Sequence, residues 1–86
     1  MTLRLFFHSD DLNANVEVLD CMPHENEFAV VLRATLFHPQ GGGQPFDTGW
    51  IGESQVLRVV QDPDRIIHFV DRPITPGMTR IRIDEQ

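Results

Sequence analysis

The stretch Thr35 to Trp50 reads Thr-Leu-Phe-His-Pro-Gln-Gly-Gly-Gly-Gln-Pro-Phe-Asp-Thr-Gly-Trp and concentrates the groups able to do chemistry. Gly41, Gly42 and Gly43 are adjacent, which costs backbone entropy but allows positive φ and close approach of a ligand to bare backbone. Successive glycines let backbone N–H groups converge into a nest for an anion or a developing oxyanion. Gln44 adds an amide that both donates and accepts. Asp47 can accept from backbone amides of the following turn. A glycine-rich hairpin holding no ligand fits the same residues. The segment is not a phosphate-binding Walker loop, because no Lys-Ser or Lys-Thr follows the glycines, and no helical pattern opens after it as a dinucleotide site requires.

Short strands and turns must position this segment. Leu3 to Phe7 reads as a first strand, followed by a polar turn at His8-Ser9-Asp10-Asp11 with a capping residue for a brief helical turn. Val16 to Met22 reads as a second strand ending at Pro23, with a loop from Pro23 to Asn26. Glu27 to Phe37 holds the longest apolar run, and its β-branched content favours one continuous strand. Trp50-Ile51 resumes extended chain, Gly52-Glu53 makes a tight hairpin turn, and Ser54 to Gln61 returns. Asp62-Pro63-Asp64 is a further turn, before a strand from Arg65 to Val70. After the Pro/Gly connection from Asp71 to Gly77, Thr79, Ile81 and Ile83 alternate with Arg80 and Arg82. Six or seven short strands of this kind predict an all-β chain folded as a small β-barrel or a sandwich.

Composition sets the outer bounds. The 86 residues form one domain, and a chain this short buries only about 60–65% of its unfolded surface. The net charge is −6, from 13 acidic residues against seven arginines and no lysine. Such a domain is poorly suited to gripping nucleic acid by itself, since that affinity rests on cation–phosphate contacts. Cys21 is the single cysteine, so no internal disulfide forms, which fits a cytoplasmic location. It reads as a small buried apolar residue within a strand. No apolar run approaches the ~20 residues of a spanning helix, and no export signal is visible, so no membrane partner is expected. Asp62 and Asp64 read as a solvated turn rather than paired catalytic carboxylates. Arg80 and Arg82 share a strand face that suits solvent better than RNA phosphate. Trp50 and the six Phe residues read as core and rim packing.

Thr35 to Gly49 resembles the signature T-x-F-[YH]-P-x-x-G-G-Q-P-x-D-x-G of the alanyl-tRNA editing family, both its free-standing AlaX-type deacylases and the editing domain of alanyl-tRNA synthetase. Leu5-Phe6-Phe7 with Ser9-Asp10 resembles the family's opening strand and acidic turn. Val56 to Asp71 resembles its following strand pair, and Ile74 to Ile83 its exit strand. The resemblance thus covers nearly the whole chain. It implies a translation-protein-like barrel and hydrolysis of mischarged seryl- or glycyl-tRNA(Ala). It carries Thr35 over as the residue that recognises a serine hydroxyl, and Gly41, Gly42, Gly43, Gln44 and Asp47 as substrate-binding positions. A positioned hydroxyl can select a substrate hydroxyl that alanine lacks.

Two departures qualify the resemblance. His38 stands where many relatives carry Tyr; it suits a partly exposed strand end better than a general base. The family's zinc is held by H-x-x-x-H and C-x-x-x-H motifs in a second domain, and His8, His24, His38, His68 and Cys21 show neither spacing. The expectation is therefore the amino-terminal, substrate-recognising part of an editing protein, residues 1–86 as one domain lacking the zinc-binding one. It forms no metal site and has no catalytic residue of its own, and it is inactive alone. Mischarged tRNA(Ala) is engaged through a missing or separate zinc domain, and apolar surface left uncovered makes a homodimer an expected partner state. The alternative is a stand-alone aminoacyl-binding or protein-partner module without catalysis.

Overall fold

A computed structural model describes residues 3–4, 13–37 and 48–84. Eight strands are found there: β1 (Leu3–Arg4), β2 (Asn13–His24), β3 (Glu27–Leu32), β4 (Ala34–Thr35), β5 (Gly49–Ile51), β6 (Ser54–Gln61), β7 (Ile66–Val70) and β8 (Gly77–Ile83). Six of them close an antiparallel barrel in the order β2-β3-β7-β6-β5-β8, while β1 and β4 form a separate parallel pair. The all-β barrel expected from the sequence is the fold observed.

Closure depends on the length of β2. Its first half, Asn13 to Val18, pairs with β8, and its second half, from Val18 to His24, pairs with β3, with a register shift between Val18 and Asp20. A bulge of this kind bends a strand and lets it turn a barrel corner. The strand does not stop at Pro23, as the sequence suggested. Pro23 pairs with Phe28 on β3, whereas β8 reaches only as far as Val18. Among the described residues, the proline therefore lies on a stretch of β2 paired on one side only, where its missing N–H breaks no ladder. The turn that follows is only Glu25-Asn26, with Glu25 at φ 56.

The run from Glu27 to Phe37 is not one strand. It bends at Arg33, whose N–H donates to the Glu17 carbonyl (2.9 Å) and whose guanidinium meets the Glu17 carboxylate (2.7 Å). The chain leaves the barrel wall there, and Ala34-Thr35 pairs with β1. Leu36 and Phe37 follow outside any strand, yet are buried.

Inward positions follow the period of two, except on β6, where the register shift between Val56 and Arg58 spaces Val56 and Val59 by three. Val16, Val18, Val30, Leu32, Ile51, Val56, Val59, Ile66, Val70 and Ile81 form the core with Leu36 and Phe37. The Gly52-Glu53 turn forms as expected, with Gly52 at φ +61. Gly49 has a different reason to be glycine. A Cβ there would sit 2.0 Å from the Arg82 carbonyl oxygen, so its absence is what lets β5 lie against β8.

Candidate functional site

Thr35 follows the Arg33 bend and points into the barrel, where it is fully buried. His68 lies on β7, between Val30 of β3 and Val59 of β6 in the strand registers. The inward alternation of β7 is Ile66, His68, Val70, so the imidazole occupies a position that apolar residues fill on either side of it. The Thr35 hydroxyl and His68 Nε2 are 2.8 Å apart, and His68 Nδ1 is 3.1 Å from the Val30 carbonyl oxygen.

These contacts fix the proton positions. A carbonyl oxygen only accepts, so Nδ1 carries the ring proton and donates to Val30. Burial pushes the His68 imidazole down from 6.5 to about 4, against a smaller upward pull from the Val30 hydrogen bond, so the ring is neutral at pH 7. Nε2 is then an acceptor, and the Thr35 O–H donates to it. The Phe37 N–H donates to the same Thr35 oxygen at 3.0 Å. A hydroxyl oxygen has one donor and two acceptor positions. The donor and one acceptor position of Thr35 are thus committed, which leaves one acceptor position. The edge of the Phe37 ring packs on the imidazole, with centroids 5.5 Å apart and planes at 75°. Among the described residues no buried side-chain polar atom lacks a partner.

Of the sequence-derived binding residues, Thr35 alone is among those described; Gly41, Gly42, Gly43, Gln44 and Asp47, and also His38, lie outside them. His68 was not singled out by sequence reasoning. The signal was present: a polar residue at an inward position of an otherwise apolar alternation.

The other candidates fall into place simply. Asp62 closes the turn before β7, exchanging backbone hydrogen bonds with Arg65 and pairing with its guanidinium at 3.5 Å. Asp64 is exposed. Cys21 is half-buried rather than buried, because it faces the Asp71–Gly77 connection, where its Sγ accepts from the Ile74 N–H at 3.4 Å. The described residues do not fit the zinc that the resemblance implies. Both nitrogens of His68 are in use, the exposed His24 packs against Phe69, and no group of three or more His, Cys, Asp or Glu side chains converges among them. On the outside of the barrel, Trp50, Gly52, Arg80 and Arg82 line a groove of about 320 Å³.

Similarity to known proteins decides the family. The chain is 41% identical over 78 residues to the alanyl-tRNA editing protein Aarsd1 of Bos taurus, a match covering 90% of this chain and 16% of that protein. It is 47% identical over 83 residues to the alanine--tRNA ligase of Methanothermobacter thermautotrophicus, covering 90% of this chain and 9% of the ligase. By sequence, the chain belongs to the alanyl-tRNA editing family. The alanyl-tRNA editing protein Aarsd1-A of Xenopus laevis is 49% identical over 50 residues, covering 58% of this chain and 12% of its own. No family model matches the chain. The chain thus spans at most about a sixth of the length of these relatives of the editing family.

Proposed function

We propose that this barrel is the substrate-recognising portion of a cytoplasmic alanyl-tRNA editing protein that hydrolyses the aminoacyl ester of mischarged seryl- or glycyl-tRNA(Ala). The observation that carries the proposal is the state of the Thr35 hydroxyl. Its proton is directed to His68 and one lone pair to Phe37, so the oxygen can meet a further group only as an acceptor. A serine hydroxyl is a donor and satisfies that position; an alanine methyl group cannot. The contact favours serine over alanine, which offers the remaining lone pair no donor; glycine, with no side-chain hydroxyl, lies outside this contact. Thr35 directly precedes Leu36-Phe37 and the glycine-rich stretch, and we assign Gly41, Gly42, Gly43, Gln44 and Asp47 to the same substrate contact. Zinc is assigned to residues outside the described ones, in a further domain or a separate chain, and the barrel residues act by binding and orienting the substrate.

Binding of non-hydrolysable seryl- and alanyl-adenosine analogues to the purified chain tests this reading. The seryl analogue should bind more tightly, Thr35→Val should abolish the difference, and Thr35→Ser, which keeps the hydroxyl, should retain it. Equal binding of the two analogues by the folded wild-type chain would remove Thr35 from the substrate site.

A further inference from the structure

The outer face of β5 and β8 carries a second cluster that the proposed aminoacyl site does not use. Ile51 and Ile81 point inward, so Trp50, Arg80 and Arg82 project outward. Trp50 and Arg82 are direct cross-strand partners, and the Gly52 N–H donates to the Arg80 carbonyl at 2.8 Å, which sets the turn beside Arg80. On the other side of β8, Arg82 is opposite Asn13 and Arg80 opposite Asn15. The result is a groove of about 320 Å³ with a half-buried indole, two exposed guanidiniums and a glycine on its rim.

From residue 13 onward the described arginines divide into two sets, and Arg72, Arg80 and Arg82 form the set without a carboxylate partner among the described residues. Arg33, Arg58 and Arg65 each meet a carboxylate, those of Glu17, Glu27 and Asp62. Arg58 also lies 4.2 Å over the Phe69 ring, so its charge is doubly occupied. Among the described residues Arg80 donates to the Asn13 amide oxygen alone, at 3.0 Å, which orients its guanidinium without neutralising it. Arg82 has no ion pair or side-chain hydrogen bond among the described residues. In a molecule of net charge −6, two neighbouring arginines thus have no carboxylate partner among the described residues and lie beside the one tryptophan.

We propose that this face binds RNA, with two successive backbone phosphates on the guanidiniums of Arg80 and Arg82 and a base stacked on Trp50. Guanidiniums match phosphate oxygens in a planar, bidentate way. An indole is a sequence-tolerant stacking platform, and base stacking on an aromatic side chain accompanies phosphate contacts at single-stranded sites. An apolar or cationic occupant would leave both guanidiniums uncompensated. RNA as the partner rests on the proposed editing function; the position of the face does not depend on Thr35. The acidic balance of the remaining surface confines the contact to this patch, in keeping with a subsidiary grip and not the main one.

Trp50 is the only tryptophan, so intrinsic fluorescence reports on this face alone. Titration of the purified chain with an unmodified tRNA(Ala) transcript at low salt should give saturable quenching. Raising the salt from about 50 to 200 mM should weaken binding about tenfold, as expected for about two phosphate contacts. Arg80→Gln and Arg82→Gln should each lower the salt slope by about one, while Arg72→Gln, a change in the exposed connection after β7, should leave binding and slope unaltered. Absence of quenching by the folded chain would overturn the proposal. So would heparin quenching as strongly as RNA at matched charge, which would reduce the face to non-specific polyanion attraction. Seryl-analogue preference measured on the same preparations separates the two ideas: preference without RNA quenching sinks this face alone, and quenching without preference sinks only the Thr35 assignment.

Discussion

The Thr35–His68 pair inside the barrel and the Trp50–Arg80–Arg82 groove outside it are produced by the same alternation of strand residues, yet they are opposite in character. Inside, the imidazole has both nitrogens engaged, and the threonine oxygen has a single acceptor position left. Outside, two cations lie beside each other, and among the described residues the Asn13 amide is the one side chain that accepts from either of them. Burial explains the contrast. A buried polar group without partners costs about 1–3 kcal/mol, so the fold must satisfy it. An exposed guanidinium is satisfied by water at little cost and stays available to a ligand. Polar groups inside this barrel thus commit to the structure first, while those outside remain uncommitted.

The sharpest way to break the comparison is at the backbone contact that seats β5 on β8. Gly49→Ala should be the most damaging single change, because the new Cβ would meet the Arg82 backbone, which has no flexible end to move aside. A loss at or above the usual 1–3 kcal/mol of overpacking is expected, read as a lowered urea midpoint or failure to fold. Next come the inner partners. Thr35→Val and His68→Leu should each destabilise by about 1–3 kcal/mol or somewhat more, while the double variant should cost clearly less than the sum. Simple additivity in a double-mutant cycle would show that the 2.8 Å contact carries no coupling.

The pH dependence is of similar size. The unfolded chain binds a proton on His68 near pH 6.5, whereas the folded chain resists it until about pH 4. The unfolded state therefore holds more protons in that window, and the contribution of neutral His68 is complete above pH 6.5 and is lost as the pH falls towards 4. The total is on the order of 3 kcal/mol. Urea unfolding of wild type and His68→Gln at pH 7.5 and 4.5 isolates this part from the carboxylates; parallel losses in both proteins would contradict it. The smallest effect belongs outside. Arg82→Gln should change stability by no more than about 0.5 kcal/mol, and a larger change would mean that the outer cation is part of the fold after all.

Much of this architecture was legible in the residues. The strands from β5 to β8 and the turns at Gly52-Glu53 and Asp62-Pro63-Asp64 lie where alternation and turn chemistry put them. Two boundaries were not legible, because each depends on a contact distant in sequence. The bend at Arg33 is held by Glu17, and the passage of β2 through Pro23 is allowed by where β8 stops. At the site, Thr35 was found through motif resemblance. Its partner His68 was marked only as a polar residue in an apolar alternation, and the hydroxyl that gives it a role comes from another strand. Gly49 shows the reverse: a position inside the resemblance segment has a steric reason that needs no ligand.

The handover within β2 also has a kinetic meaning. Asn13 pairs with Arg82 and Ala14 with Ile81, so the seam of the barrel joins strands from its two ends in sequence. Loops of that length are slow to close, and contacts that reward closure come only after the entropy has been spent. During synthesis, β2 and β3 can pair early, but the cylinder must wait for β8. Until then β2 and β5 present open strand edges, the surfaces through which unfinished sheets recruit one another. The last barrel strand to emerge is therefore also the one that ends the period of aggregation risk.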